Sequence, residues 1–276
     1  MNFEIDNNGC LTKYSGEDQH VEIPEEDQLV EIPEEDRHVE IPEGVKSIGV
    51  GAFDYCLSLT SIVIPEGVTS IGDRAFMWCE GLESVKIPKS VVSIGSAAFL
   101  NCSSLQTVAI PEGVTSIAYW AFEDCCSLKT VIIPESVTSI GGDAFSCCFE
   151  LESLIIPKGV QIIRDGAFDF CKSLESVTIP ESVTSIGRAA FWGCSGLKSV
   201  IIENGVKSIG ENVFKDCTSL TTITIPASIE ALSSSAFGGC TKLEFIVVDN
   251  EDERTRVCAL LPTALQAKVI TRDAYQ

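Results

Sequence analysis

"LTSIVIPEGVTSIGDRAFMWCEG", residues 59–81, reads L-x-x-I-x-I-P-x-x-V-x-x-I-G-x-x-A-F-x-x-C-x-x, and a step of 23 residues either way lands on the same pattern. Phe stands at 53, 76, 99, 122, 145, 168, 191, 214 and 237. Cys stands at 56, 79, 102, 125, 148, 171, 194, 217 and 240, and Leu at 59, 82, 105, 128, 151, 174, 197, 220 and 243. Pro recurs from Pro42 to Pro180 and again at Pro226, with Glu203 in the slot between. A fixed period in this range is the signature of a stacked-repeat architecture. One coil cannot bury its own apolar face, so the core is made only by stacking.

Within the coil, the alternation at Ile62, Val63 and Ile64 gives a short strand with two apolar side chains on one face. The proline after it ends ladder pairing, since it has no N–H to give, and the "EGV" or "ESV" that follows is turn chemistry. Each coil is therefore expected to add one strand to a parallel sheet. Ten strands, from 39–41 to 246–248, stack at about 4.8 Å and span roughly 43 Å. The Phe column, including Phe76, Phe99, Phe122, Phe145, Phe168 and Phe191, is the expected spine of the core.

The opening L-x-x-I-x-I is the leucine-rich-repeat strand pattern, and the period lies in that class's range of about 20–29 residues. The IPxxVxxIGxxAFxxC unit resembles BspA-like leucine-rich-repeat proteins, many of them bacterial cell-surface proteins. The resemblance covers Val39 to Asp249, and "FEIDNNGCLTKYSG" (residues 3–16) looks like the capping segment that precedes such arrays. It implies a solenoid with its parallel sheet on the concave face and short irregular or helical turns on the convex face. It also implies binding and adhesion rather than catalysis.

The formal net charge is −21. A surface this acidic is repelled by phosphate backbones and anionic headgroups, so no nucleic-acid partner is expected. No apolar run approaches the length of a membrane-spanning helix, so no membrane insertion is expected. The start, Met1-Asn-Phe-Glu-Ile, shows neither a basic n-region nor an apolar h-region, so no signal peptide is visible and the compartment is left open.

Thirteen cysteines leave at least one thiol without an intrachain partner. A metal site would want C-x2-C pairs or Cys with His at ligand spacing, and only His20 and His38 exist. Disulfides between neighbouring coils are geometrically conceivable at one strand spacing. The reading preferred here is a ladder of small buried hydrophobes, Cys102, Cys125, Cys148 and Cys171 among them. Every coil uses the position alike, which suits packing better than pairwise bridging. Cys126 and Cys147, one residue off the column, are the more oxidisable candidates.

No G-x-S-x-G, P-loop or G-x-G-x-x-G stands in a strand-to-helix context, so neither catalytic residues nor a cofactor are expected. "VDNEDER" (residues 248–254) lacks the glycine of a calcium loop. It reads instead as a helix start, with Asp249 or Asn250 as N-cap and acidic residues in the first turn. Asn101-Cys102-Ser103 matches a glycosylation sequon, which matters only in a secretory pathway.

What remains is surface. On the strand face a hydroxyl ladder runs through Thr130, Ser153, Ser176 and Ser199. Beside it, Ile132, Ile155 and Ile201 stand on an outward column, with Lys129, Glu152, Glu175 and Lys198 at the rim. An apolar centre with a charged rim has the composition of a protein-binding patch, although Ile and Thr suit a sheet in any case. Exposed aromatics of the convex side (Tyr55, Trp78, Tyr119, Trp120, Phe149, Phe170, Trp192) are either an interface or lids over irregular turns. The function expected is a binding scaffold for a protein or glycan ligand. The rival is a self-associating structural protein.

At the N-terminus, "HVEIPEED" recurs at a nine-residue step. Nine residues are too few for a parallel crossover, so these copies are expected as short strands or an acidic loop within an N-terminal cap over 1–38. The solenoid would run over 39–249, and a helix plus strand over 250–276 would close the far end.

Overall fold

The computed structural model describes residues 2–15 and 37–275. The nine-residue copies fall almost wholly outside the described residues. Only the last, at His38–Glu40, is seen, as a strand.

Successive coils wind into a β-solenoid. The expected strand column is present: His38–Glu40, Ser61–Val63, Ser84–Lys86, Thr107–Ala109 and Thr130–Ile132 form one parallel sheet. Ser176–Ile179, Ser199–Ile202, Thr222–Thr224 and Phe245–Val248 continue it, joined by Val269–Thr271. Partners pair in register one coil apart, as in Val131 with Val108 and Val177 with Val200. The sixth of the ten strands expected, at 153–155, is reduced to a single bridge between Thr130 and Ser153. Leu154 and Ile156 stay buried there, so the core register survives where the ladder lapses.

A second strand column was not expected. Two-residue strands at Ser47–Ile48, Ser70–Ile71 and Ser93–Ile94 stack in parallel, and a run from Ser116–Ile117 to Ala231–Leu232 continues them. The Val and Ile of V-x-x-I point inward while the serine faces out. Coils approach so closely at the following glycine that a Cβ on Gly95 would lie 2.5 Å from the Asp73 backbone nitrogen.

The rest of each coil is turn, and among the described residues no helix lies inside the array. Two left-handed residues per coil shape it. One column runs through Arg74, Ala97, Trp120, Asp143, Gly166 and Ala189, the other through Trp78, Asn101, Asp124, Cys147, Phe170 and Gly193. Left-handed backbone costs a non-glycine residue about 1–2 kcal/mol, so these turns hold only because stacking on both sides fixes them.

The core is a single continuous stack. Phe rings from Phe53 to Phe237 follow one another at 5.1–5.9 Å between centroids, with planes within 14°. The antiparallel hairpin β1 (Asn2–Ile5) and β2 (Cys10–Ser15) extends the ring ladder, with Tyr14 stacked on Phe53 at 5.2 Å and Phe3 beyond it. At the other end α1 (Glu251–Leu260) starts at Asn250, whose side chain accepts from the Glu253 N–H at 3.0 Å. Its buried Val257 joins the core.

All thirteen cysteines are free. The column thiols are more than small hydrophobes: each from Cys79 to Cys240 donates to the Phe carbonyl of the preceding coil at 2.9–3.4 Å. The Cys column is thus a hydrogen-bonded seam as well as packing.

Candidate functional site

The burial pattern of the strand column, exposed–buried–exposed, sets two outward rows on one face. Ile132, Ile155 and Ile201 are 61%, 80% and 50% exposed, against a core into which most of the other isoleucines are buried. Ile132 and Ile155 sit on adjacent coils, and Ile201 pairs with Thr178, which separates it from Ile155. Thr130, Ser153, Ser176 and Ser199 run alongside on the same face. Ile155 stands where the ladder lapses.

The rim cations are engaged. Lys198 Nζ meets Glu175 Oε1 at 2.5 Å, and Lys129 Nζ meets Glu150 Oε2 at 3.8 Å rather than a strand-row carboxylate. Both pairs are exposed, and such pairs contribute about 0–1 kcal/mol, so a partner can exchange them at little cost. At the C-terminal end the face is covered by the chain itself, where the Tyr275 ring packs on Phe245 at 5.5 Å.

On the turn face the aromatics pair along the stack. Trp120 Nε1 donates to Asp143 at 3.2 Å, Trp192 Nε1 donates to Asp216 at 3.0 Å, and Tyr55 stacks on Trp78 at 5.8 Å. Lys172 lies over the Phe149 ring at 4.0 Å. Each spans the junction with a neighbouring coil, and Tyr55, Tyr119 and Trp120 remain exposed there. Sequence reasoning missed the carboxylates among them. Burial, with Asp124, Asp143 and Asp169 nearby, pushes Glu123 up to about 7, and burial pushes Asp169 up to about 6. Burial also lifts the Cys125, Cys148 and Cys171 thiols well above the usual range.

Among the described residues no group of three or more His, Cys, Asp or Glu is placed to hold a metal ion. Among them, too, no helix is long and apolar enough to cross a membrane.

A solenoid of this period with one outward strand face defines a leucine-rich-repeat scaffold. The model of the BspA type leucine rich repeat region matches residues 36–151 and 138–259, and the chain belongs to that family. It is similar to a leucine-rich repeat protein from Bacteroides ovatus, with 35% identity and a TM-score of 0.71 over 76% of this chain and 55% of that one. The chain therefore spans about half the length of that relative. It is also similar to a leucine rich cell surface protein from Faecalibacterium prausnitzii, with 30% identity over 94% of this chain and 95% of that one and a TM-score of 0.43. The pneumococcal vaccine antigen PcpA shares the fold at 20% identity, with a TM-score of 0.56 over 85% of this chain and 67% of that one. Among curated proteins no match was found.

Proposed function

We propose that the chain is a non-enzymatic binding scaffold that holds a protein or glycan partner on the strand face of its middle coils. The observation that carries this reading is Ile155, 80% exposed beside Ile132 and the hydroxyl row. A contiguous outward apolar row marks an interaction surface where scattered apolar residues would not. The hydroxyls supply hydrogen bonds, and the weak rim pairs supply charges that can be re-paired. Membership of the leucine rich repeat family supports a binding scaffold, and adhesion at a cell surface is the form of binding proposed.

The test is capture from candidate cell surfaces with the wild-type chain and Ile155→Glu as paired baits. A partner held by the first and lost by the second supports the strand face. Equal capture by both, together with loss by the turn-face variant Trp120→Ala, would transfer the function to the other side. Sedimentation over a concentration range examines self-association: a monomer throughout disfavours the structural-assembly reading.

A further inference from the structure

Away from the strand face, a groove of about 520 Å³ opens on the turn face across three coils, with Asp73, Met77, Leu100, Trp120 and Glu123 on its walls. Met77, Leu100 and Glu123 occupy one column of the repeat, so they follow one another along the stack at about 4.8 Å per step. The track thus runs apolar, apolar, acidic. Trp120 flanks its acidic end, with the indole held by its N–H bond to Asp143.

The carboxylate at the end of this track is poorly served by its own protein. Glu123 is half-buried, and among the described residues it has neither an ion-pair nor a hydrogen-bond partner for its side chain. The charges that bear on it, from Asp124, Asp143 and Asp169, are all negative. The basic group on the groove wall, Arg74, acts on Asp54. Asp73 is partly served, accepting from the Ser96 N–H at 2.7 Å. A carboxylate that is half-desolvated, repelled by its neighbours and lining one groove with an aromatic ring gains from a cation placed between them.

We propose that this groove receives a lysine or arginine side chain from a cationic partner polypeptide, the stem lying on Met77 and Leu100 and the charge between Glu123 and the Trp120 ring. Long basic side chains are apolar along the stem and charged at the tip, which is the order of the track. A second copy of this chain is a poor occupant, because 40 acidic residues face only 19 basic ones. The same −21 charge draws a basic partner to the surface from a distance, and the groove is what selects it at contact.

The experiment titrates the full chain with a fluorescent peptide of alternating Gly and Lys, and with the same peptide carrying Nε-acetyl-lysine. Glu123→Gln and Trp120→Ala are compared with Glu244→Gln, which makes the same side-chain change at an exposed site on the strand side. Glu123→Gln relieves repulsion and keeps the shape, so it stays folded. Glu123→Gln and Trp120→Ala should each weaken the lysine peptide about tenfold, Glu244→Gln by no more than about twofold, and the acetylated peptide should not bind. Equal loss in Glu123→Gln and Glu244→Gln would reduce the attraction to net charge and overturn the proposal. Undiminished binding of the acetylated peptide would overturn it as well. Neither result bears on the strand-face reading.

Discussion

The phenyl ring of Phe145 meets Phe122 on one side and Phe168 on the other, at 5.3 and 5.4 Å, and is fully buried. Its place was legible in the sequence because Phe recurs at the period without exception, as Cys and Leu do, and is the largest of the three. The thiols beside it were legible as packing but not as donors, since an S–H bond to a carbonyl of the coil before leaves no trace in composition. Denatured, unreduced protein should titrate as thirteen free thiols. In the native fold the partly exposed Cys10, Cys126, Cys147 and Cys258, with Cys240 at the end of the column, should alkylate before the buried column thiols Cys56 to Cys217. Few or no thiols in the denatured sample would mean inter-coil disulfides. The carboxylates give a second prediction. Glu123 and Asp169 titrate above their ordinary range, so the folded state holds their protons more tightly than the unfolded chain does. Their stabilising contribution is complete below the unfolded values near 4 and is lost as pH rises through about 6–7. The urea midpoint should therefore fall between pH 5 and pH 8, and Glu123→Gln should flatten that fall. A midpoint that climbs over this range would contradict the burial of these groups.

At the scale of the element, the first strand column could be read from L-x-x-I-x-I because its three residues alternate. The second could not, because Ser70–Ile71 is too short to show a period and becomes a strand only through neighbours at the same register. The lapse at Ser153 was equally invisible, since "SLIIP" reads like every other strand in the array. The turns hid their geometry for another reason. Trp78, Trp120, Ala189 and Phe170 occupy left-handed backbone where glycine or asparagine would have announced it. This makes Ala189→Gly informative. In a regular element that change costs about 0.5–1 kcal/mol, whereas at a positive φ the relief of strain offsets it. Ala189→Gly should be neutral or up to about 1 kcal/mol stabilising in chemical denaturation. A loss of 1 kcal/mol or more would mean that the turn does not hold Ala189 at this φ.

Across the whole molecule, each coil touches only its neighbours, so stability is a sum of coil and interface contributions. Phe145 has a ring on both faces, whereas Phe237 has Phe214 on one. Phe145→Ala should cost about 3–5 kcal/mol and Phe237→Ala distinctly less, read as shifts in thermal unfolding. Equal small shifts would deny the ring stack its role as the spine. The candidate site divided at this scale too. The outward isoleucines and hydroxyls were named from the strand period, while the groove holding Glu123 needed the three coils assembled before Met77, Leu100 and Trp120 could be seen to share it. Binding on the strand face requires an inward core that is independent of the outward rows. The most direct measurement is the unfolding of Ile155→Glu paired with its affinity for the captured partner. Stability within about 0.5 kcal/mol of wild type with binding lost is the result predicted. A loss of several kcal/mol in stability, or unchanged binding by a folded variant, would contradict it.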